Sequence, residues 1–316
     1  MPSKVQKRNV SDSVGEQGPN THSRTVKVKT TTKEHLLCTW NQLPDWQKDN
    51  EYIHGGYVRE TNNFTACINS LFYLHNESVN IYSHLIPGIS ALSLVLVDKY
   101  VVPKFPTTTF NDYFFLDVFF FGMFTCLTMS STFHCLKSHS PPVAKFGNKL
   151  DYLGIVVLIS TSMVSILYYG FYDNSLMFYT FSTITLMFGA ACAVVSLEEK
   201  FRSREWRPYR AAMFVMFGLS ALLPIAAGLI RYGAHETATR IQVKWIVLEG
   251  VFYIFGAFLY GVRFPEKYGP GKYDIWGHSH QIFHVLVVVA ALCHMTGLLK
   301  SYAYVHTEMI PRMATA

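Results

Sequence analysis

The sequence predicts an all-α membrane protein, a seven-transmembrane helical bundle, and two observations carry this prediction. Half of the 316 residues are hydrophobic and only 15% are charged, whereas about a quarter of the residues of a typical soluble domain are charged. The apolar residues also gather into seven stretches long enough, or nearly so, to cross a bilayer as helices. Backbone in lipid must satisfy its own hydrogen bonds, so seven such stretches predict a helical bundle.

The chain divides into four regions. Residues 1–35 are polar and basic without an apolar core, which predicts a disordered basic cytoplasmic tail and not a signal peptide. Residues 36–80 mix polar and aromatic side chains, and we expect an amphipathic segment with short helices at the membrane interface. Residues 81–302 hold the seven-transmembrane domain, and residues 303–316 are expected to form a short extracytoplasmic tail. The predicted spans are 81–102, 113–136, 150–171, 176–197, 211–231, 245–263 and 279–299.

Positive charge is distributed unevenly between the two sides of this bundle. With seven spans, twenty of the 27 lysines and arginines fall on the side of the N-terminus and seven on the side of the C-terminus. Positive loops stay in the cytoplasm, which predicts a cytoplasmic N-terminus and an external or luminal C-terminus. The net charge of +6 therefore reflects loop topology and contact with anionic lipids, and we expect no nucleic-acid partner.

Two histidines four residues apart, His280 and His284, open the seventh span and share one helical face. Imidazoles inside a bilayer are costly unless they hold a metal, a proton or a partner. A third histidine, His134, closes the second span, and Asp151 lies near the start of the third. Because the second span runs inward and the third and seventh start inside, all four residues fall in the cytoplasmic leaflet. Three histidines with an open fourth position are typical of catalytic zinc, so the sequence predicts a Zn²⁺ site in this leaflet.

Two polar residues near this site each have a structural and a functional interpretation. Ser130 lies one turn before His134, where its hydroxyl either bonds back to its own helix or serves a zinc-bound water or substrate oxygen. Asp151 stabilises a helix N-terminus, hydrogen-bonds the metal-bound water, or does both. On the functional interpretation, Ser130 and Asp151 are the candidate catalytic residues.

A third polar cluster opens the first span, where Glu77, Asn80 and His84 share one face. A glutamate, an asparagine and a single histidine make a poor zinc set, so a structural role that ties this span to the bundle is favoured over a second metal site. His278 lies two residues before His280, and we expect it to face elsewhere, near the water at the interface.

Three further features complete the prediction. Pro224 should kink the fifth span and open space for a lipid-sized cavity. Glu249 lies toward the outer end of the sixth span, where it can pair with Lys244, and no function is assigned to it. The six cysteines form no CxxC pair, and most lie in apolar stretches, so we interpret them as packing residues.

Several long motifs together resemble those of the progestin and adipoQ receptor family, which is related to haemolysin III. They are NESVNIYSHL, SSTFHC, KLDYLGI, YRAAMF and PGKYDIWGHSHQIFHVLVVVAA. The similarity is greatest to the fungal branch, the ADIPOR-like proteins implicated in zinc homeostasis, and it covers residues 36–305. It implies seven helices, a cytoplasmic N-terminus and one zinc ion. The matching site residues are the ligands His134, His280 and His284 and the water-supporting Asp151 and Ser130.

Two classes of function follow from this resemblance. The first is an ADIPOR-like receptor or sensor acting in zinc homeostasis and in lipid or sterol metabolism, with a ceramidase-type activity as a second capacity; its ligand is either extracellular or a lipid. The alternative is a zinc-dependent membrane amidase whose partners are ceramide- or sterol-like lipids. In that chemistry zinc lowers the pKa of its water to about 7, Asp151 takes the proton and Ser130 steadies the oxyanion. The intact Ser130–Asp151 pair favours catalysis, because a purely structural zinc needs no positioned water.

Other seven-helix functions fit less well. Zinc transport would need ionisable residues stepping across the whole membrane, whereas here they stop at one leaflet. The inverted orientation, and the lack of an Asp/Glu-Arg-Tyr motif at the inner end of the third span, argue against a G-protein-coupled receptor, so no G protein is expected. The seventh span has no mid-membrane lysine, which argues against a light-driven pump. We expect a multi-pass protein of the endoplasmic reticulum or the plasma membrane.

Overall fold

The structure, a computed structural model, describes residues 36–199 and 204–315. The predicted basic tail, 1–35, lies outside the described residues. Within them, seven helices are long and apolar enough to cross a membrane, which confirms the seven-span bundle and a multi-pass membrane protein. The seven spans are Ser78–Val101, Phe110–Leu136, Pro141–Gly170, Ser175–Leu197, Pro208–Tyr232, Val243–Tyr268 and Ser279–Thr315.

The second and third spans pack closely, and this contact positions the candidate site. Gly154 faces the second span so tightly that an added Cβ would lie 3.0 Å from the Cys126 Cα. Gly122 leaves no room for a side chain beside Thr161. Small residues on facing helices let backbones approach in membrane bundles. The end of the second span is therefore held beside the third-span turn that carries Asp151.

The third span starts at Pro141, earlier than the predicted residue 150. Proline suits the first turn of a helix because its fixed φ is already helical and its missing N–H has no partner there. The polar turns before residue 150 extend the helix beyond its apolar part. Asp151 consequently lies inside the helix, where the field of the helix N-terminus no longer reaches. The structural interpretation of Asp151 as a helix-terminus charge is therefore wrong.

The fifth span is divided close to the predicted kink. Its two helices are Arg207–Leu219 and Leu222–Tyr232. Pro224 lies in the first turn of the second helix, and its ring would clash with the carbonyl of Ser220 in a continuous helix. The fifth and sixth spans are also the least buried of the seven. This side of the bundle is therefore more loosely packed than the side formed by the second and third spans.

The seventh span is longer than predicted. The segment expected to be a short tail is helical through Thr315, and His306 and Met309 within it are buried. His306 Nε2 donates to Asp112 Oδ1 of the second span at 3.1 Å, which fastens this end to the bundle. The span consists of the α-helix Ser279–Tyr304, the π-helix Val305–Met309 and the α-helix Ile310–Thr315.

The segment 36–80 contains short helices, as expected, and also a two-stranded antiparallel sheet that the sequence analysis did not predict. It packs on the loop after the sixth span. The His54 N–H donates to Asp274 Oδ1 at 2.8 Å, and the Gly271 N–H donates to the Tyr52 carbonyl at 3.0 Å. Its elements are the strands Leu37–Cys38 and Tyr57–Val58, the 3₁₀-helices Trp40–Gln42, Asp45–Gln47 and Ser70–Phe72, and the α-helix Phe64–Asn69.

An ion-pair cluster fixes the loops at the end of the bundle that carries His306. Arg240 donates to both oxygens of Asp173, at 2.6 and 3.0 Å, and to Glu236 at 2.8 Å. Burial would raise the pKa of Asp173, but hydrogen bonds from Arg240 and Tyr232 outweigh it and lower the pKa. The remaining elements are the α-helices Ala234–Arg240 and Val243–Val262 and the 3₁₀-helices Arg204–Trp206 and Glu266–Tyr268.

Candidate metal centre

Three histidines from two spans meet at one end of the bundle. His134 lies near the end of the second span, and His280 and His284 lie in the first two turns of the seventh. Their ring centroids form a nearly equilateral triangle, with sides of 4.9 Å for His134–His280, 4.7 Å for His134–His284 and 4.8 Å for His280–His284. The structure therefore brings together the three residues that the sequence predicts as ligands.

Hydrogen bonds orient two of the three rings. His134 Nδ1 lies 2.7 Å from Glu77 Oε2, and His284 Nδ1 lies 3.1 Å from the carbonyl oxygen of Asn80. A carboxylate and a carbonyl only accept hydrogen bonds, so both Nδ1 atoms donate and carry the proton. Each ring then has its lone pair on Nε2, and the buried Nε2 of His134 has no hydrogen-bond partner among the described residues. Metal-binding histidines are usually oriented in this way.

This donor set fits a tetrahedral zinc ion with three protein ligands. Two Zn–N bonds of about 2.0–2.1 Å at the tetrahedral angle place their nitrogens about 3.3 Å apart. One nitrogen of each histidine already lies within 4.8 Å of the other two, so small side-chain shifts reach that spacing. Over residues 36–199 and 204–315, no other group of three or more His, Cys, Asp or Glu side chains is arranged to hold a metal.

Glu77 contacts the predicted ligand His134 directly. Its Oε2 accepts from His134, and its Oε1 accepts from Lys137 Nζ at 2.7 Å. Burial would raise the pKa of Glu77, but Lys137 and His134 outweigh it and hold the pKa well below its usual value. The purely structural interpretation of Glu77, Asn80 and His84 is therefore incomplete. This cluster does tie the first span to the bundle, but it does so through the predicted ligands.

His84 supports a second predicted ligand by stacking. Its ring lies on that of His284, with centroids 3.9 Å apart and planes inclined by 12°. His84 Nε2 also donates to the His284 carbonyl oxygen at 3.2 Å. Both residues are buried, so the stack limits rotation of the His284 ring. The first span thus positions one histidine on the second span and one on the seventh.

Ser130 and Asp151 lie on the wall of the cavity that His280 and His284 also line. The Ser130 hydroxyl is buried and makes no hydrogen bond to the described residues, so its interpretation as a group bonded back to its own helix is wrong. Asp151 lies near this hydroxyl, and no hydrogen bond joins the two side chains. Both polar groups are therefore available to a molecule in the cavity.

The cavity has a volume of about 720 Å³ and lies among the third, fifth, sixth and seventh spans. Small-molecule pockets usually occupy about 300–1,000 Å³. Beyond the histidines its lining is mostly apolar, as a lipid chain requires. Several of its lining residues on the loosely packed fifth and sixth spans are more than a third exposed. These include Leu222, Val251 and Ile254.

Two ionisable residues differ from their predicted surroundings. His278, expected near the water, is only 6% exposed, and its Nε2 donates to the Asn76 carbonyl at 3.3 Å. The loop before the seventh span packs against the segment before the first span, and burial there lowers the pKa of His278. Glu249, expected to pair with Lys244, instead accepts from His294 Nδ1 at 2.8 Å.

Sequence reasoning did not identify Glu77 and His84 as partners of the predicted ligands. One signal could have found them. Both lie at the start of the first span, which alternation of direction places at the same end of the bundle as His134 and His280. The alternating direction of the spans indicates at which depth in the membrane a residue lies. It does not indicate which faces of the helices contact one another.

Comparison with known proteins identifies the family. A family model described as Haemolysin-III related matches residues 72–295, which include every predicted site residue. ADIPOR-like receptor IZH2 of Saccharomyces cerevisiae is 59% identical over 273 residues, or 86% of each chain. ADIPOR-like receptor IZH1 of Eremothecium gossypii is 47% identical over 285 residues, covering 88% of this chain and 90% of the relative. The adiponectin receptor protein of Drosophila melanogaster is 38% identical over 270 residues, covering 85% of this chain and 60% of the relative. The chain therefore belongs to the haemolysin-III-related family, the progestin and adipoQ receptors that its motifs resemble.

Proposed function

We propose that this chain is an ADIPOR-like membrane receptor or sensor that holds one zinc ion and hydrolyses a ceramide-like lipid amide there. One observation carries the hydrolytic part of the proposal. Ser130 and Asp151 line the same cavity as His280 and His284. A zinc ion that only stabilises a fold is usually enclosed by four protein ligands. Three histidines beside an open cavity leave one position for water or substrate. The zinc ligands in this proposal are His134, His280 and His284.

The residues of the cavity wall have separate tasks in this chemistry. When bound, zinc supplies a Lewis acid that polarises the amide carbonyl and makes a water molecule acidic. Asp151 would accept a proton from the attacking water as its oxygen bonds to the carbonyl carbon, and would deliver that proton to the nitrogen as the carbon–nitrogen bond breaks. Ser130 donates its hydroxyl hydrogen to the carbonyl oxygen as negative charge develops there. The contacts from the first span hold the histidine rings still, and the apolar part of the wall would receive the lipid chains.

The shape of the cavity supports a lipid as the ligand. A ceramide carries two long aliphatic chains, which suit an apolar lining, and one amide, which suits the polar end at the histidines. Such a molecule would not need to leave the bilayer if it entered between the fifth and sixth spans, where Leu222, Val251 and Ile254 of the cavity wall are exposed. A sterol-like ligand would fit the same lining but has no amide to cleave.

The direct test is hydrolysis by the purified protein. We expect free fatty acid to be released from an octadecanoyl ceramide, measured by mass spectrometry. Release should stop when a chelator removes zinc and should resume when zinc is added back. Hydrolysis that persists after elemental analysis shows the metal to be gone would contradict the proposed chemistry.

A receptor in which zinc is chiefly structural is the second candidate. The names of two relatives, ADIPOR-like receptor IZH2 and ADIPOR-like receptor IZH1, describe receptors, which supports this candidate. In this proposal the chain senses zinc or a lipid, acts in zinc homeostasis and in lipid or sterol metabolism, and does not turn the lipid over. A zinc-responsive reporter that works normally in a protein with no detectable hydrolysis would favour this candidate.

We also propose a cytoplasmic N-terminus, so that the histidines lie in the cytoplasmic leaflet of the endoplasmic reticulum or plasma membrane. The uneven distribution of lysine and arginine supports this orientation. Asn9-Val-Ser and Asn63-Phe-Thr are glycosylation sequons. Asn9 lies outside the described residues, and Asn63 is exposed at the start of the helix Phe64–Asn69.

In a eukaryotic host we expect these two sequons, and the buried third one at Asn76-Glu-Ser, to remain unmodified, because glycosylation occurs on the luminal side only. The measurement is the mass of the protein before and after glycosidase treatment. A C-terminal extension that carries a new sequon is the positive control and should be glycosylated. A glycosidase-sensitive mass that disappears in Asn9→Gln or Asn63→Gln would reverse the proposed orientation.

Glu77 should govern zinc affinity without binding zinc. Glu77→Gln removes the negative charge that holds the His134 ring and pairs with Lys137. Such outer partners typically contribute 10–100-fold to metal affinity, so we expect a loss of about that size. Competition with a zinc-binding dye measures it. Glu60→Gln is the matched control, because Glu60 is exposed and bonds only Asn62 among the described residues. Equal affinities in the two variants would show that Glu77 has no such role.

A further inference from the structure

The cavity contains a polar pair that the proposed chemistry does not use. Glu249 on the sixth span and His294 on the seventh both line it. The two side chains are joined by the hydrogen bond from His294 Nδ1 to Glu249 Oε2. The side chain of His294 is 2% exposed, and its Nε2 has no hydrogen-bond partner among the described residues. Ionisable groups at such a depth in a membrane are costly and commonly mark the path or site of a ligand.

Glu249 also has an unused oxygen. Its Oε1 forms no hydrogen bond with the part of the chain that the structure describes, and it is not enclosed by protein atoms. A purely aliphatic chain beside it would leave both Glu249 Oε1 and His294 Nε2 without partners, which costs free energy for each group. A ligand that brings its own polar group to this level would remove that cost. Ser162 of the third span, another residue on the cavity wall, offers a hydroxyl to the same cavity.

The distance of this pair from the histidine triangle can be read from one helix. His294 follows His284 by ten residues in the α-helix Ser279–Tyr304, and at 1.5 Å per residue this is about 15 Å. Carbon–carbon bonds of about 1.5 Å at tetrahedral angles advance an extended chain by about 1.25 Å per carbon. The pair therefore lies about twelve carbons along a chain whose polar end is held at the histidines.

We propose that Glu249 and His294 form a second recognition site in the cavity, which binds a hydroxyl group carried near the middle of a long lipid chain. A hydroxyl both donates and accepts, so it can pair with the carboxyl oxygen and with the imidazole nitrogen. An ammonium group could also donate, but stripping water from a charge costs more than stripping it from a hydroxyl. The proposal rests on the proposed function in one respect, that a lipid chain occupies the cavity.

The test compares fatty acids that the protein cannot hydrolyse. Binding of octadecanoic acid and of its 12-hydroxy and 6-hydroxy derivatives is measured on the purified protein by displacement of a fluorescent fatty acid. We expect the 12-hydroxy acid to bind about tenfold more tightly than octadecanoic acid, as one hydrogen bond to a charged group allows. The 6-hydroxy acid, whose hydroxyl lies in the apolar part, should bind no better than octadecanoic acid.

Variants of the cavity wall complete the test. Glu249→Leu should remove the preference for the 12-hydroxy acid and leave octadecanoic acid binding unchanged. Glu249→Met keeps the length of the side chain and should do the same, so that one misfolded variant does not decide the result. Ile246→Leu, on the same wall, is the control that keeps the preference.

The proposal is overturned if wild type shows no preference, binds none of the acids, or favours both hydroxy acids equally. A preference that survives in both Glu249 variants overturns it as well. Wild type that shows the preference but hydrolyses no ceramide would reject the zinc chemistry and retain this site.

Discussion

Replacing His284 by alanine is expected to remove zinc from the protein, so that the purified variant carries none where wild type carries one ion per chain. Only two of the three nitrogen donors remain in the variant. The His84 ring also loses the His284 ring on which it stacks. His280→Ala should have the same effect. Elemental analysis after gel filtration measures the metal directly. His235→Ala is the control, because His235 is exposed and remote from the histidine triangle, and it should retain zinc.

The same substitution should change how thermal stability responds to a chelator. A ligand that binds only the folded protein stabilises it by about 2.7 kcal/mol when present at about 100 times its Kd. The melting temperature of wild type should therefore fall when zinc is removed, whereas that of His284→Ala should already be low and insensitive to the chelator. Wild-type protein that contains no zinc would remove the metal assignment and the hydrolytic proposal together.

Replacing Asp151 by asparagine is expected to separate zinc binding from catalysis. The variant should hold one zinc per chain, because the three histidines supply the protein ligands without it. Its rate of ceramide hydrolysis should fall at least tenfold, since losing a general base typically costs about 10²–10⁴-fold. Asp45→Asn is the matched control, because the Asp45 side chain is 96% exposed, and it should hydrolyse ceramide at the wild-type rate.

Three measurements on the Asp151 variant distinguish the candidate functions. Zinc content, lipid hydrolysis and a zinc- or sterol-responsive reporter are compared with those of wild type and His284→Ala. Normal signalling in Asp151→Asn, with no hydrolysis in any protein, would reject the enzyme and leave the receptor. Loss of zinc in Asp151→Asn would show instead that this carboxylate is a ligand.

The number of spans could be predicted because it depends on local composition, but the ends of the spans could not. The third span begins at Pro141 and the seventh continues to Thr315, both through polar sequence that hydropathy does not identify as helix. In the seventh span a tertiary contact, His306 with Asp112, holds the extra turns. Such contacts join residues far apart in the chain, and a single sequence does not show them.

The three histidines of the triangle could be predicted from the sequence, because the spacing of residues along a helix and the direction of each span are sufficient to bring them together. His280 and His284 share a face at i,i+4, and the alternating direction of the spans puts His134 at the same end. The pairing of Glu249 with His294 depends on how the sixth helix is rotated against the seventh, which neither argument supplies. The level of a residue in the membrane is thus easier to infer than the neighbour it touches.

Entry of a lipid between the loosely packed fifth and sixth spans would determine the unit in which the concentration of that ligand has to be expressed. A lipid that enters there arrives by two-dimensional diffusion, so occupancy of the cavity follows its mole fraction in the bilayer and not its amount per volume of buffer. Adding inert phospholipid at a fixed quantity of ligand should empty the cavity, whereas adding buffer should leave it filled. A sensor built in this way reports the composition of the membrane that surrounds it.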